Sequence, residues 1–259
     1  MDYALQCLRD FTTQEYANIQ YYFQQICELT AMCAKHPDPK VGAQAYEYWT
    51  TLVEDETERT VKGVTCLGYI QSCSDSLIAL ILEGLCIINF EEDEGDDDDW
   101  GHALSAACCL QKLAVLIKND VVDKVVGFAA QNLQVQLSWQ QKYSALVALG
   151  SITEGPEKQK FTSIIIDALP NLFVMAKERS SKVRQALAYV LLRICEHHPD
   201  VVCSPQVFHQ FIGAIKDGIQ DKPRVSNLCC AAIDKLAPAT QPLNEETENC
   251  LSPYYQDLL

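Results

Sequence analysis

The 259 residues contain no Cys-x-x-Cys pair, no glycine-rich phosphate loop and no zinc-type spacing of histidines. Thirteen cysteines are present, yet doublets such as Cys108-Cys109 and Cys229-Cys230 lie inside apolar helical runs. They read as small, reduced core residues, not as a disulfide or metal framework. His36, His102, His197, His198 and His209 are scattered along the chain. The adjacent pair His197-His198 stands before Pro199, at a helix end where the backbone dipole favours a cation. With no nucleophile, base or metal set in a recognisable arrangement, an enzyme is not expected and no cofactor is implied.

Basic residues are also short in supply: 20 Lys and Arg stand against 35 Asp and Glu, a formal charge of −15. A phosphate backbone would be repelled, so nucleic acid is not an expected partner. Eight of the negative charges lie between Glu91 and Asp99, and without them the balance is −7. No signal-peptide pattern is visible at the N-terminus, which points to the cytosol or nucleus. The longest apolar stretch, Leu77 to Phe90, is interrupted by Glu83 and Asn89 and is too short to span a bilayer, so no membrane insertion is expected.

Strand signals are almost missing as well, whereas apolar residues recur at helical spacing throughout, so the class is all-α. Segments beginning at Trp100, Trp139, Ser181 and Asp221 can be laid over one another, each a polar start followed by an alanine-rich helix, with a period of about 40 residues. An earlier copy begins at Pro39. Second helices are expected over 119–134, 156–178 and 205–220, joined by short polar turns. Pro156, Pro205 and Pro223 fall at helix starts, so proline marks boundaries and not kinks. Ala106, Ala145, Ala186 and Ala231 recur within the second helix of each pair, which permits close helix approach. One hairpin cannot bury its own apolar face, so neighbours must stack. The expected architecture is a single superhelical solenoid over 1–259 in the HEAT or armadillo style, of about five to six stacked antiparallel helix pairs.

A helix starting abruptly at Asp2 and another over 245–259 suggest a chain trimmed at both ends, so any homodimer would come from the cut ends. On the copy starting at Pro39, Glu47, Thr51, Glu54 and Glu58 follow the i, i+4, i+7 rhythm. The three glutamates form an acidic stripe that either lines a concave wall or is a solvated helix face. Trp49 on the same helix is assigned to core packing.

The sharpest local feature is EEDEGDDDDW, residues 91–100. Eight carboxylates in so short a span repel one another, and a basic partner relieves that repulsion. The run has neither the ligand alternation nor the terminal glutamate of a calcium-binding EF-hand. A tract of aspartates closed by tryptophan at the start of an alanine-rich helix resembles the acidic loop of the importin-β (karyopherin-β) nuclear import receptors. The flanks carry the likeness further: ALVALGSITEGPE after Trp139, VRQALAYVLLRICEHHP from Val183 and DKPRVSNLCCAAIDKLA from Asp221 are similar to that family's neighbouring repeats. The resemblance covers most of the chain and corresponds to the middle of the receptor's N-terminal half, about HEAT repeats 5 to 11.

The resemblance implies a receptor fragment that binds basic segments of importin-α or cargo, Ran-GTP and the phenylalanine-glycine repeats of nucleoporins, shuttling between cytoplasm and nucleus through the nuclear pore. It assigns Glu91, Glu92, Asp93, Glu94, Asp96, Asp97, Asp98 and Asp99 to Ran or cargo contact. Trp100 and Tyr189 would stack on the adaptor segment. A further stacking tryptophan of the family falls here at Cys230 or Ala231, a departure from its pattern. Tyr16 and Ile19, in an aromatic second helix with Tyr21, Tyr22 and Phe23, are the candidates for a nucleoporin slot, and core packing is the competing role. A HEAT scaffold of another pathway and an acidic histone-binding chaperone remain as alternative functions.

Overall fold

The computed structural model describes residues 2–88, 101–134, 136–240, 249 and 251–254. The acidic run and Trp100 therefore lie outside the described residues. Among those described there is no strand, and no helix is long and apolar enough to cross a membrane. The chain divides into two compact units, Met1–Asn132 with Glu154–Pro156, and Leu133–Thr153 with Glu157–Leu259.

The first unit holds α1 (Asp2–Gln14), α2 (Phe23–Ala34), α3 (Pro39–Lys62), α4 (Tyr69–Leu85), α5 (His102–Ile117) and α6 (Val122–Asn132). The long α3 begins with Asp38 as its cap, whose carboxylate accepts from the Lys40 N–H at 3.0 Å, and with Pro39 in the first turn. It packs between α1 and α5, while α2 and α4 meet in the other layer. Apolar residues at helical spacing put Tyr46, Tyr48, Trp49, Leu52 and Val53 into the core. Burying each side chain of this size contributes roughly 1.5–3 kcal/mol.

Helix contact in this layer is close enough to exclude side chains. A methyl group at Gly42 would stand 1.7 Å from His102 Nε2. His102, in the first turn of α5, donates from that nitrogen to the carbonyl of Ala34, the last residue of α2, at 3.1 Å. This side chain pins the beginning of α5 onto the end of the preceding hairpin.

The second unit holds α7 (Trp139–Ser151), α8 (Lys158–Val174), α9 (Ser181–His197), the single turn α10 (Pro199–Val202), α11 (Pro205–Ile219) and α12 (Pro223–Leu236). Ser138 caps α7 in a reciprocal box with Gln141. Helix α9 packs between α7 and α12, and α8 meets α11. Arg184 on α9 grips Asp221, before α12, through two nitrogens, with Nη2 to Oδ1 at 2.8 Å, and gives Nη1 to the carbonyls of Glu178 and Arg179. One guanidinium thus ties three segments together.

Several local expectations are corrected. Pro170 lies inside α8, so proline does not only mark boundaries. The aromatic second helix is broken: Tyr16–Tyr21 is a 3-10 helix, and α2 starts only at Phe23. The apolar helix before the acidic run ends at Leu85, not near Phe90. In α12 the fully buried alanine is Ala232, while Ala231 is half-buried. Cys33, Cys109, Cys195 and Cys229 are buried, but Cys7, Cys66, Cys86 and Cys230 are exposed, so not all cysteines are core residues. The helix expected over 245–259 falls largely outside the described residues, and its described part, Ser252–Tyr254, is a 3-10 turn.

The helix dipole does not account for His198 of the histidine pair. This ring is buried, donates from Nε2 to the Thr153 carbonyl at 2.9 Å, and lies 3.4 Å by Nδ1 from the Thr162 hydroxyl. Burial pushes it below the usual histidine range, which favours the neutral ring over the cation that the dipole would select.

Candidate functional site, an acidic groove on the first unit

Charge is distributed unevenly between the units. The first contains 23 acidic and 8 basic residues and the second 12 of each, so the formal −15 resides entirely in the first.

The C-terminal half of α3 and the C-terminal half of α5 border an open groove of about 570 Å³. Helix α3 contributes Glu54, Thr57, Glu58, Val61 and Lys62, spaced so that they share one face. Helix α5 contributes Gln111, Lys112 and Val115, and Glu154 completes the lining. Glu154 is brought there by Gly155, whose φ of +107° and close approach to α5 exclude a side chain: a methyl group would stand 2.2 Å from the Ala114 carbonyl oxygen. The walls are carboxylates and ammoniums, and Val61 and Val115 supply aliphatic surface. Such a groove suits a segment that alternates cationic heads with hydrocarbon stems.

Each glutamate of the stripe already faces a cation. Glu47 meets Arg9 at 3.6 Å, Glu54 meets Lys112 at 2.8 Å, and Glu58 pairs with Lys62 one turn further along α3. Hydrogen bonding from Lys62 holds the Glu58 carboxyl below its usual range. Hydrogen bonding to Glu54 raises the Lys112 ammonium, with Glu54 and Glu154 adding charge attraction. Glu54 and Glu58 share the groove, whereas Glu47 lies two turns earlier on α3, outside its lining.

Tyr189 belongs to α9 in the second unit. Its ring is half-buried over α7, where a methyl group at Gly150 would stand 2.5 Å from Cε1. Tyr16 and Ile19 are core residues, 5% and 0% exposed, so they present no face to a visiting phenylalanine, and the exposed aromatics of that segment are Tyr21 and Tyr22. The alternation of the 3-10 helix turns Tyr16 and Ile19 inward together, at spacing i, i+3.

Arg9, Lys112 and Glu154 were not picked out in the sequence. They come from three distant stretches and carry no local signature. The Glu58-Lys62 spacing alone was a readable signal. Among the described residues no three His, Cys, Asp or Glu side chains gather into a metal-holding group.

No family model matches the sequence. The chain is 27% identical to importin subunit beta-1 of Schizosaccharomyces pombe and 26% identical to that of Saccharomyces cerevisiae, in each case over 99% of its length. These alignments cover 31% and 30% of the relatives, so the chain spans about a third of the length of the curated proteins it matches. The solved structure of yeast importin-beta (Kap95p) superposes with a TM-score of 0.90 at 26% identity, over 99% of this chain and 30% of that one. Kap95 in a Kap95:Nup1 complex gives 0.85, also at 26% identity, over 92% of this chain and 28% of that one. A further Kap95p structure, concerned with binding to RanGDP, gives 0.90 at 26% identity over 99% of this chain and 30% of that one. With helix pairs in two stacked layers within each unit, the chain shares the HEAT-repeat solenoid fold of these importin-β structures and is similar to importin subunit beta-1 over 99% of its own length.

Proposed function

We propose that this chain is a passenger-binding segment of a nuclear import receptor, which shuttles between cytoplasm and nucleus and receives basic segments of importin-α or cargo on its first unit. The observation that carries the reading is the concentration of all net negative charge in the unit that also holds the acidic groove. Glu54 and Glu58 take the cationic heads, Glu47 extends the stripe along α3, and Val61 and Val115 receive the stems. Glu91 to Asp99 act as the long-range attractor, effective over roughly 8 Å at physiological salt, and Trp100 stacks on the passenger; Tyr189, in the second unit, is not part of this site. Ran-GTP and phenylalanine-glycine nucleoporins are proposed as further partners, by kinship with the Kap95 structures concerned with RanGDP and Nup1. The slot for nucleoporins is assigned to the exposed Tyr21 and Tyr22 at the junction of the 3-10 helix with α2, and not to Tyr16 and Ile19.

The test is fluorescence anisotropy of a labelled arginine-rich peptide against the 259-residue chain over a salt series, with a parallel pull-down of Ran in its GTP and GDP forms. Expected are a log-linear loss of peptide affinity with salt, a weakening by Glu54→Gln with Glu58→Gln, and preferential recovery of Ran-GTP. Peptide binding that ignores both salt and the glutamates overturns the passenger site. Equal recovery of the two nucleotide forms overturns the Ran assignment.

A further inference from the structure

We propose that Lys112 is a resident competitor in the acidic groove, an ammonium of the chain itself that an incoming cationic segment must displace, and so the residue that sets how basic a passenger has to be. The inference rests on the passenger-binding reading above. Three carboxylates line the groove, and their two resident cations are held differently. Lys62 reaches Glu58 from one turn away on the same helix, a local pairing that leaves the groove's width open. Lys112 instead crosses from α5 to Glu54 on α3 at 2.8 Å, with Glu154 of the same lining adding to its attraction.

The pair is half-exposed, at 51% and 52%, so water competes for both partners and the closed arrangement is held only weakly. Lys112 can therefore swing into solvent on its four-carbon stem without disturbing α5, whose core face is carried by Leu110, Leu113 and Ala114. A visiting arginine offers two parallel N–H groups where the lysine offers a point charge, so it exchanges favourably. A lone or weakly basic side chain does not. Because only the open fraction of grooves accepts a passenger, apparent affinity is reduced by that fraction, and removing the competitor restores it.

The experiment compares binding of a fluorescein-labelled oligo-arginine peptide to the wild-type chain, Lys112→Met and Lys124→Met. Methionine keeps the stem and removes the charge. Lys124 lies in the same unit, pairs with Asp75 and is outside the groove, so its variant makes the same change in net charge elsewhere. Expected is a gain of about five-fold for Lys112→Met and less than about two-fold for Lys124→Met, with unchanged far-ultraviolet circular dichroism. Equal gains from the two variants overturn the competitor role while leaving the passenger site standing. Failure of every variant to bind the peptide removes the passenger reading and this inference with it.

Discussion

The phenolic hydrogen of Tyr16 is donated to the buried carboxylate of Glu56 at 2.7 Å, across 40 residues of chain. The same carboxylate accepts the backbone N–H groups of Tyr69 at 2.7 Å and Ile70 at 3.2 Å, and the Tyr16 oxygen accepts the Leu67 N–H at 2.8 Å. Burial and the Glu56 partner push the Tyr16 phenol far up, so it remains a donor. Arg59 covers the ring with its guanidinium 3.8 Å from the centroid. This one node joins the 3-10 helix, α3 and the first turn of α4, and it fixes the base of the helix that carries Glu54 and Glu58.

Glu56→Ala should therefore destabilise the chain by about 3–5 kcal/mol, because it leaves three buried donors unmatched. Tyr16→Phe takes one donor from Glu56 and the acceptor from the Leu67 N–H, and should cost about 1–2 kcal/mol. Urea denaturation of the two variants checks both values, and a loss below about 1 kcal/mol for Glu56→Ala would mean that Glu56 does not hold these three segments together.

Gly42 and His102 occupy one space between them. Gly42→Ala forces a methyl group into the imidazole and should destabilise by about 2–3 kcal/mol. In the double variant with His102→Ala the penalties should fall short of additive, since the clash partner is gone. A double-mutant cycle in urea measures the difference, and strict additivity would mean that the two residues do not compete.

His102 and His198 both titrate below the ordinary value of about 6.5, chiefly through burial. The unfolded chain then binds more protons near that pH, so stability is full above the ordinary value and falls as pH drops through it towards the folded values. Asp38 and His36 act on His102, and Lys158 and Asp200 on His198. Asp221 is depressed instead, by Arg184, and its contribution is lost only at lower pH, below the usual carboxylate range. Thermal midpoints should decline between about pH 7.5 and 5.5, and the double variant His102→Gln with His198→Gln should flatten that limb. An unchanged slope would assign the acid sensitivity to other groups.

Arg184→Lys should weaken the second unit by about 1–2 kcal/mol although the charge is kept. A lysine cannot span Asp221 and the two carbonyls before α9 at once. Asp221→Asn in the lysine background should then add little. Chemical denaturation of the single and double variants decides the matter.

Much of the fold was legible because helical periodicity is a local property. The copies at Pro39, Trp139, Ser181 and Asp221 each became, or led directly into, the helix expected of them, and Trp49 went into the core as its position on the apolar face required. Failures came where tertiary packing overrode the pattern. Pro170 is tolerated inside α8, and the stretch from Tyr16 tightened into a 3-10 helix whose aromatic residue became a donor to Glu56.

Glu54 and Glu58 of the groove were visible in the sequence as part of a stripe with Glu47, at i, i+7, i+11, but nothing nearby announced what they face. Lys112 and Glu154 lie 58 and 100 residues beyond Glu54 in the chain. Their meeting depends on α3 and α5 stacking and on a left-handed glycine bringing the turn at 154–156 against α5. Helix formation, the repeat and the excess of negative charge follow from the order of residues, since each is set by neighbours within a turn or two or by simple composition. Which carboxylates are already matched by cations, which histidines are neutral and which tyrosines are buried was decided only by tertiary structure, because charge pairing and desolvation act through space between segments that the sequence keeps far apart.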